Sequence, residues 1–223
     1  AAIEEHSQNH SWQHGPNIFV EGLRDIMLSW LDADPAAAKE FVKVLVKSNH
    51  QILRRIAIHL LDVEWNALQE VFLANLDTSL FQTAHTHELY LLLKSRFSIM
   101  PLDVRKRILK IIREFPLRDD VDDPSRSLLF KQQKWLSALA GLGFADIDAW
   151  HNDLVNQMGY RPEHPEFLSY MQSFWGPGPS PYPAPDLIGF AREGTLIENL
   201  NSFKEDSDNW RGPTERSLSD ELE

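Results

Sequence analysis

The chain contains no cysteine. That excludes disulfides, thiol nucleophiles and zinc sites built on thiolates. It also suits a reducing compartment, so a cytoplasmic protein is the expectation. Long hydrophobic runs are missing too. The stretch 41–46 is broken by lysine and falls well short of the roughly 20 apolar residues that span a bilayer. No basic start followed by an apolar core marks a signal peptide. No association with a membrane is expected. Positive charge is scarce, with 22 lysines and arginines against 33 acids and a formal net charge of −11. From Glu205 to the end there are seven acids and two bases, so this tail supplies −5 and the rest of the chain −6. Non-specific nucleic-acid binding needs a dominant basic stripe, so nucleic acid is not the expected partner. GxxxxGK[ST], GxGxxG and GxSxG are all absent, which removes the familiar phosphate-binding loops and the serine-hydrolase elbow.

What is present reads as helix. Residues 52–61, ILRRIAIHLL, place Ile52, Ile56 and Leu60 on one helical stripe and Leu53, Ala57 and Leu61 beside it. One partner helix cannot cover so wide an arc, so neighbours must pack on two sides. Only Arg54, Arg55 and His59 interrupt it. A helix over 17–31 precedes it, with Asn17 as N-cap and Phe19, Leu23, Ile26, Leu28 and Trp30 as apolar surface. Asp34-Pro35 opens the next, with Phe41, Val42, Leu45 and Val46 as its buried stripe. Further helices are expected over 65–76, 87–97, 101–115, 124–142, 146–158 and 164–174. The inner helices begin near residues 50, 86 and 126, a spacing of 36 to 40 residues that matches the scale of HEAT-type repeats.

The fold expected is therefore an all-α solenoid of antiparallel helix pairs, right-handed and HEAT-like, over 17–174. A Pro/Gly-rich strap follows over 175–186, WGPGPSPYPAPD, with five prolines and two glycines. Tyr182 and Trp175 would anchor this strap to its own domain or to a partner's groove. Short C-terminal helices and the acidic tail fill 187–223, one capped by Asp186 and one by Thr195. Because residue 1 is alanine and 214–223 reads as a helix barely begun, a segment of a longer protein is expected.

Three clusters could carry chemistry. His6, His10 and His14 would lie within about 80° of one another on a helix. However, Ser7, Asn9 and Ser11 are poor helix formers and Gly15-Pro16 interrupts, so they read as surface histidines. His85, His87 and Glu88 are the densest set of candidate ligands, but His85 and His87 do not share a helix face. The favoured reading is a helix start capped by Thr83 or Thr86, with Glu88 balancing the helix start and both histidines at the surface. Arg105, Lys106, Arg107, Lys110 and Arg113 form a basic run in which Lys106, Lys110 and Arg113 share a face. Asp119, Asp120, Asp122 and Asp123 follow at once. No catalytic, cofactor-binding or metal-binding residue is assigned.

Several segments in order, SNHQILRRIAIHLLD (48–62), HELYLLLKSRF (87–97), PEHPEFLSYMQSFWGPGPSP (162–181) and a late Trp-Arg-Gly-Pro, carry a resemblance. The chain resembles the helical-repeat region of large bacterial multidomain proteins that bear a separate nucleotide-hydrolysing or NAD-cleaving effector, several of which act in defence against phage. The resemblance spans about residues 17 to 215 and implies a sensing or scaffolding role. The matching positions are packing and turn residues, so it transfers no site residue. The expectation is a non-catalytic interaction or sensor module with a protein partner. The alternatives are a helical metal-dependent hydrolase using His85, His87 and Glu88, and a helical-repeat nucleic-acid binder.

Overall fold

Two Asp-Pro steps open helices in the way the sequence requires. The computed structural model describes residues 3–6, 14–116, 122–168, 170, 179–205 and 212–222. The Asp34 carboxylate accepts the Ala37 N–H at 3.1 Å and Asp123 accepts the Arg126 N–H at 2.9 Å. Each aspartate satisfies a donor that the first helical turn leaves without a partner, and the proline behind it has no N–H to orphan. The chain is all-α. Among the described residues the helices are α1 (His14–Ala33), α2 (Pro35–Val46), α3 (Gln51–Val63), α4 (Trp65–Asn75), α5 (Thr86–Arg96), α6 (Leu102–Arg113), α7 (Pro124–Ser137), α8 (Ala145–Met158), α9 (Ala184–Glu193), α10 (Leu196–Ser202) and α11 (Glu215–Leu222). Short 3-10 turns at Thr78–Phe81 and Thr83–His85 lead into α5. The chain divides into two compact units, Ala1–Met171 and Gln172–Glu223.

In the first unit α3 is the hub. Ile56, Ala57, Ile58, Leu60 and Leu61 are buried, and α1, α2, α4 and α5 all pack against this helix. The two-sided packing read from its wide apolar arc is therefore present, although Ile52, in the first turn, is 37% exposed. Helices α1, α3 and α5 lie side by side in one row, with α2 against α4 in a second. Beyond them α6 packs on α7 and α7 on α8. Aromatic rings wedge the segments together. Phe81 meets Phe115 at 5.7 Å and Trp135 at 5.0 Å between centroids, and Phe97 meets Phe144 edge-on at 5.5 Å. Gly159 closes α8 at φ 78°, a left-handed conformation that a Cβ would strain.

Several boundaries differ from those read in the sequence. Helix α1 begins at His14, so Asn17 lies inside it and is not its cap. Gly15-Pro16 sits in the first turn, where proline is tolerated because no intrahelical donor is lost. Helix α7 ends at Ser137 and not near 142. The chain then turns through Gly141 and Gly143 at φ 79° and 90°. No helix forms over 164–168. Residues 169 and 171–174 of that expected helix lie outside the described residues.

In the second unit the strap is described from Pro179 onward and is not helical until α9 begins at Ala184. Asp186 therefore sits inside α9 and does not cap it. Tyr182 stays within its own unit: its ring meets Phe190 edge-on at 5.3 Å and its hydroxyl donates to the Asn199 carbonyl at 3.3 Å. Ser217 Oγ donates to the Pro179 carbonyl at 2.8 Å. Thr195 precedes α10 without a side-chain cap bond. Thr214 Oγ1 accepts the Ser217 N–H at 3.0 Å and caps α11, a developed two-turn helix. Trp175 lies outside the described residues. No described helix is long and apolar enough to cross a membrane.

Candidate functional site

The start of α5 is not the polar surface that His85-Thr-His87-Glu88 suggests. His85, Thr86, His87 and Glu88 are all buried. Glu88 is the centre of a closed set of bonds. Arg55, one turn into α3, donates to both of its oxygens at 2.8 and 2.9 Å. The Ile3 N–H donates to the same carboxylate at 3.2 Å, and Arg24 of α1 donates to the Ile3 carbonyl at 2.8 Å. The Ile3 side chain is buried, 2% exposed. The segment 3–6 is thus held at both backbone groups of one residue by charges from two helices. A buried carboxylate is tolerated only when paired and hydrogen-bonded, and here three donors surround it. The packing of α1, α3 and α5 in one row brings these charges together.

His87 faces oxygen on both sides, with Nδ1 at 3.3 Å from the Glu166 carbonyl and Nε2 at 3.1 Å from the Glu4 carboxylate. Its ring lies 4.3 Å from that of Phe167, which also meets His6 at 4.8 Å. His85 is different. Both of its ring nitrogens are buried, with the Ser79 and Leu80 backbone beside the ring. The three residues therefore face separate surroundings. Among the described residues no three His, Asp or Glu side chains group to hold a metal. His6 is not on a helix, His14 opens α1, and His10 lies outside the described residues. Sequence reading missed Ile3, Glu4 and Arg24. Arg24 alone left a signal, because it interrupts the buried positions that continue at Met27 and Leu31, and an arginine on a core stripe needs a partner.

Three histidines are held below the ordinary imidazole value. His85 is lowered by burial and then by the Arg54 charge, His59 by burial and Arg24, and His151 by burial and Arg161. Near neutral pH both folded and unfolded forms of these groups are neutral, and they contribute no pH dependence. Below the ordinary value the unfolded chain takes up protons that the folded chain refuses, so stability falls as the pH falls. The urea midpoint is expected to be lower at pH 5.5 than at pH 7.5, and His85→Phe should narrow the gap. An equal or higher midpoint at pH 5.5 would contradict this linkage.

The basic run is divided. The Arg105 guanidinium lies 4.8 Å over the Phe144 ring and that of Arg113 4.7 Å over Trp150. Lys110 pairs loosely with Glu114 at 4.0 Å. Of the acids that follow, Asp123 caps α7, and Asp119 and Asp120 lie outside the described residues.

The largest departure from sequence expectation is on α1. Phe19 and Ile26, assigned to its packing surface, are 80% and 65% exposed. Leu31, Met27 and Arg24 face the core in their place. Ile18, Gly22, Ile26 and Trp30 fall at four-residue intervals on the outer side, and the Trp30 ring meets Phe41 of α2 at 5.8 Å. Phe41 and Val44 are also exposed, which extends the apolar surface onto α2 and corrects Phe41 as a core residue. A Cβ at Gly22 would meet nothing within 4 Å. Compared with known proteins, the chain matches no family model, no curated protein and no solved structure.

Proposed function

We propose that the chain is a non-catalytic interaction module, a helical-repeat scaffold of a larger cytoplasmic bacterial protein, and that it docks a helix of a protein partner on the outer face of α1 and α2. The observation that carries this reading is Gly22. A glycine inside a helix costs about 1 kcal/mol relative to alanine, and none of the described residues occupies the space where its Cβ would be. Its use is on the outer side. A residue without a side chain, between Ile18 and Ile26 on an exposed apolar stripe, lets a second helix backbone approach closely. On the α1 side the rim is acidic, with Glu21, Asp25 and Asp32 exposed, and the chain as a whole carries −11. The occupant is therefore an amphipathic helix with lysine or arginine beside its apolar stripe. The side-by-side rows of α1, α3, α5 and of α2, α4 support the repeat reading, because each helix there buries its face only against its neighbours.

The test uses a synthetic Leu/Lys amphipathic helix as probe. It should bind saturably to the parent chain, and Ile26→Glu should weaken it about tenfold or more. Gly22→Leu should do the same while leaving the melting temperature equal or higher, since leucine is the better helix former. Equal affinity for all three proteins would reject the docking face. Anionic vesicles should not bind, because the acidic rim repels them.

A further inference from the structure

A second site lies in the first unit, away from the α1 stripe. A cleft of about 530 Å³ is walled by Phe81, Phe130, Trp135 and Phe167 and holds Lys131 and Lys134; among the described residues no Asp or Glu lines it. In a chain with 33 acids against 22 bases, this patch has the opposite sign to its surroundings. Lys134 is only 9% exposed. Its two predecessors on α7 are also buried polar residues, but both are satisfied: Gln132 donates to the Arg113 carbonyl at 3.0 Å and Gln133 to the Tyr160 carbonyl at 2.7 Å. Among the described residues the Lys134 ammonium has no hydrogen bond and no ion pair. Glu166, the carboxylate that acts on it from a distance, faces His164 Nδ1 at 3.4 Å. Lys131 lies 4.1 Å over the Phe115 ring. The Lys134 side chain is mostly buried while its ammonium keeps contact with solvent, so an anion entering the cleft meets a positive charge in a partly desolvated setting.

We propose that this cleft binds a small organic anion, a carboxylate or phosphate carried on a flat apolar body, with the Lys134 ammonium as its charge partner and the Phe130 and Phe167 rings as its apolar wall. Shape and charge are then supplied by different residues and can be tested separately. Burial also holds the Lys134 ammonium below the usual lysine range, with Glu166 opposing.

The test labels the full chain with pyridoxal 5′-phosphate, which offers a flat ring, a phosphate and an aldehyde. The amine adds to the aldehyde carbon, water leaves to give an imine, and borohydride supplies hydride to fix it as a secondary amine. Mass spectrometry then locates the label. Lys134 should be modified first, ahead of the exposed Lys43, Lys47 and Lys106. Competing 2-naphthoate or phenyl phosphate should protect it, and equimolar inorganic phosphate should not. By calorimetry 2-naphthoate should bind about tenfold or more weakly to Lys134→Met than to the parent chain. Lys134→Arg keeps the charge, so it should keep most of the naphthoate affinity while losing the label. If Lys134→Met does not fold, the arginine variant carries the test. Even labelling across the lysines, or unchanged naphthoate affinity in a folded Lys134→Met, would overturn the site. Equal protection by inorganic phosphate would overturn the role of the apolar wall.

Discussion

Ile56→Asp abolishes the cooperative melt of the first unit. Ile56 is 1% exposed in the middle of α3, and α1, α2, α4 and α5 all pack against this helix. The substitution removes a buried aliphatic side chain, worth about 2–3 kcal/mol of burial. It also places a carboxylate where no partner waits, which costs several kcal/mol more or forces the group to stay protonated. The sum is comparable with the whole stability of a typical domain, about 5–15 kcal/mol. Ile56→Val, which deletes one methylene, should cost only about 1 kcal/mol and keep the transition sharp. The pair separates a general loss of packing from the charge itself. A sharp calorimetric transition for the aspartate variant near that of the parent would mean that α3 is not the hub.

Glu88→Ala is expected to be the next most damaging change. It leaves the Arg55 guanidinium and the Ile3 N–H without their acceptor, and removing one member of a buried ion pair typically costs about 3–5 kcal/mol. For a domain of this size that corresponds to a fall in melting temperature of roughly 10 °C. Replacing both partners, Arg55→Met with Glu88→Leu, should recover most of the loss, because no buried charge then remains uncompensated. The double variant still lacks the acceptor for Ile3, so limited proteolysis should cut the 3–6 segment faster in it than in the parent. If the double variant were as unstable as Glu88→Ala, or the single variant near neutral, the bond network would not be what fixes this corner of the fold.

Local signals in the sequence were enough for some of these elements. Asp34-Pro35 and Asp123-Pro124 marked two helix starts because cap and proline act within four residues of each other. The apolar arc of α3 announced two-sided packing because its periodicity is strong. The burial of His85, His87 and Glu88 was not legible, since their polarity argues for solvent and their partners come from far along the chain. Arg55 is 33 residues from Glu88 and Ile3 is 85. The outward face of α1 was hidden for another reason. That helix carries apolar residues on both sides, so composition could not tell which side meets the core. Residues 164–168 follow the spacing of a helix and do not form one.

The most direct measurement of the central claim, docking on α1 and α2, is hydrogen exchange read by mass spectrometry with and without a saturating Leu/Lys helix. The account predicts slowed exchange in peptides covering residues 18–30 and 41–44, with α8 unchanged. Slowing elsewhere with 18–30 unaltered, or no slowing at all under saturation, would contradict it.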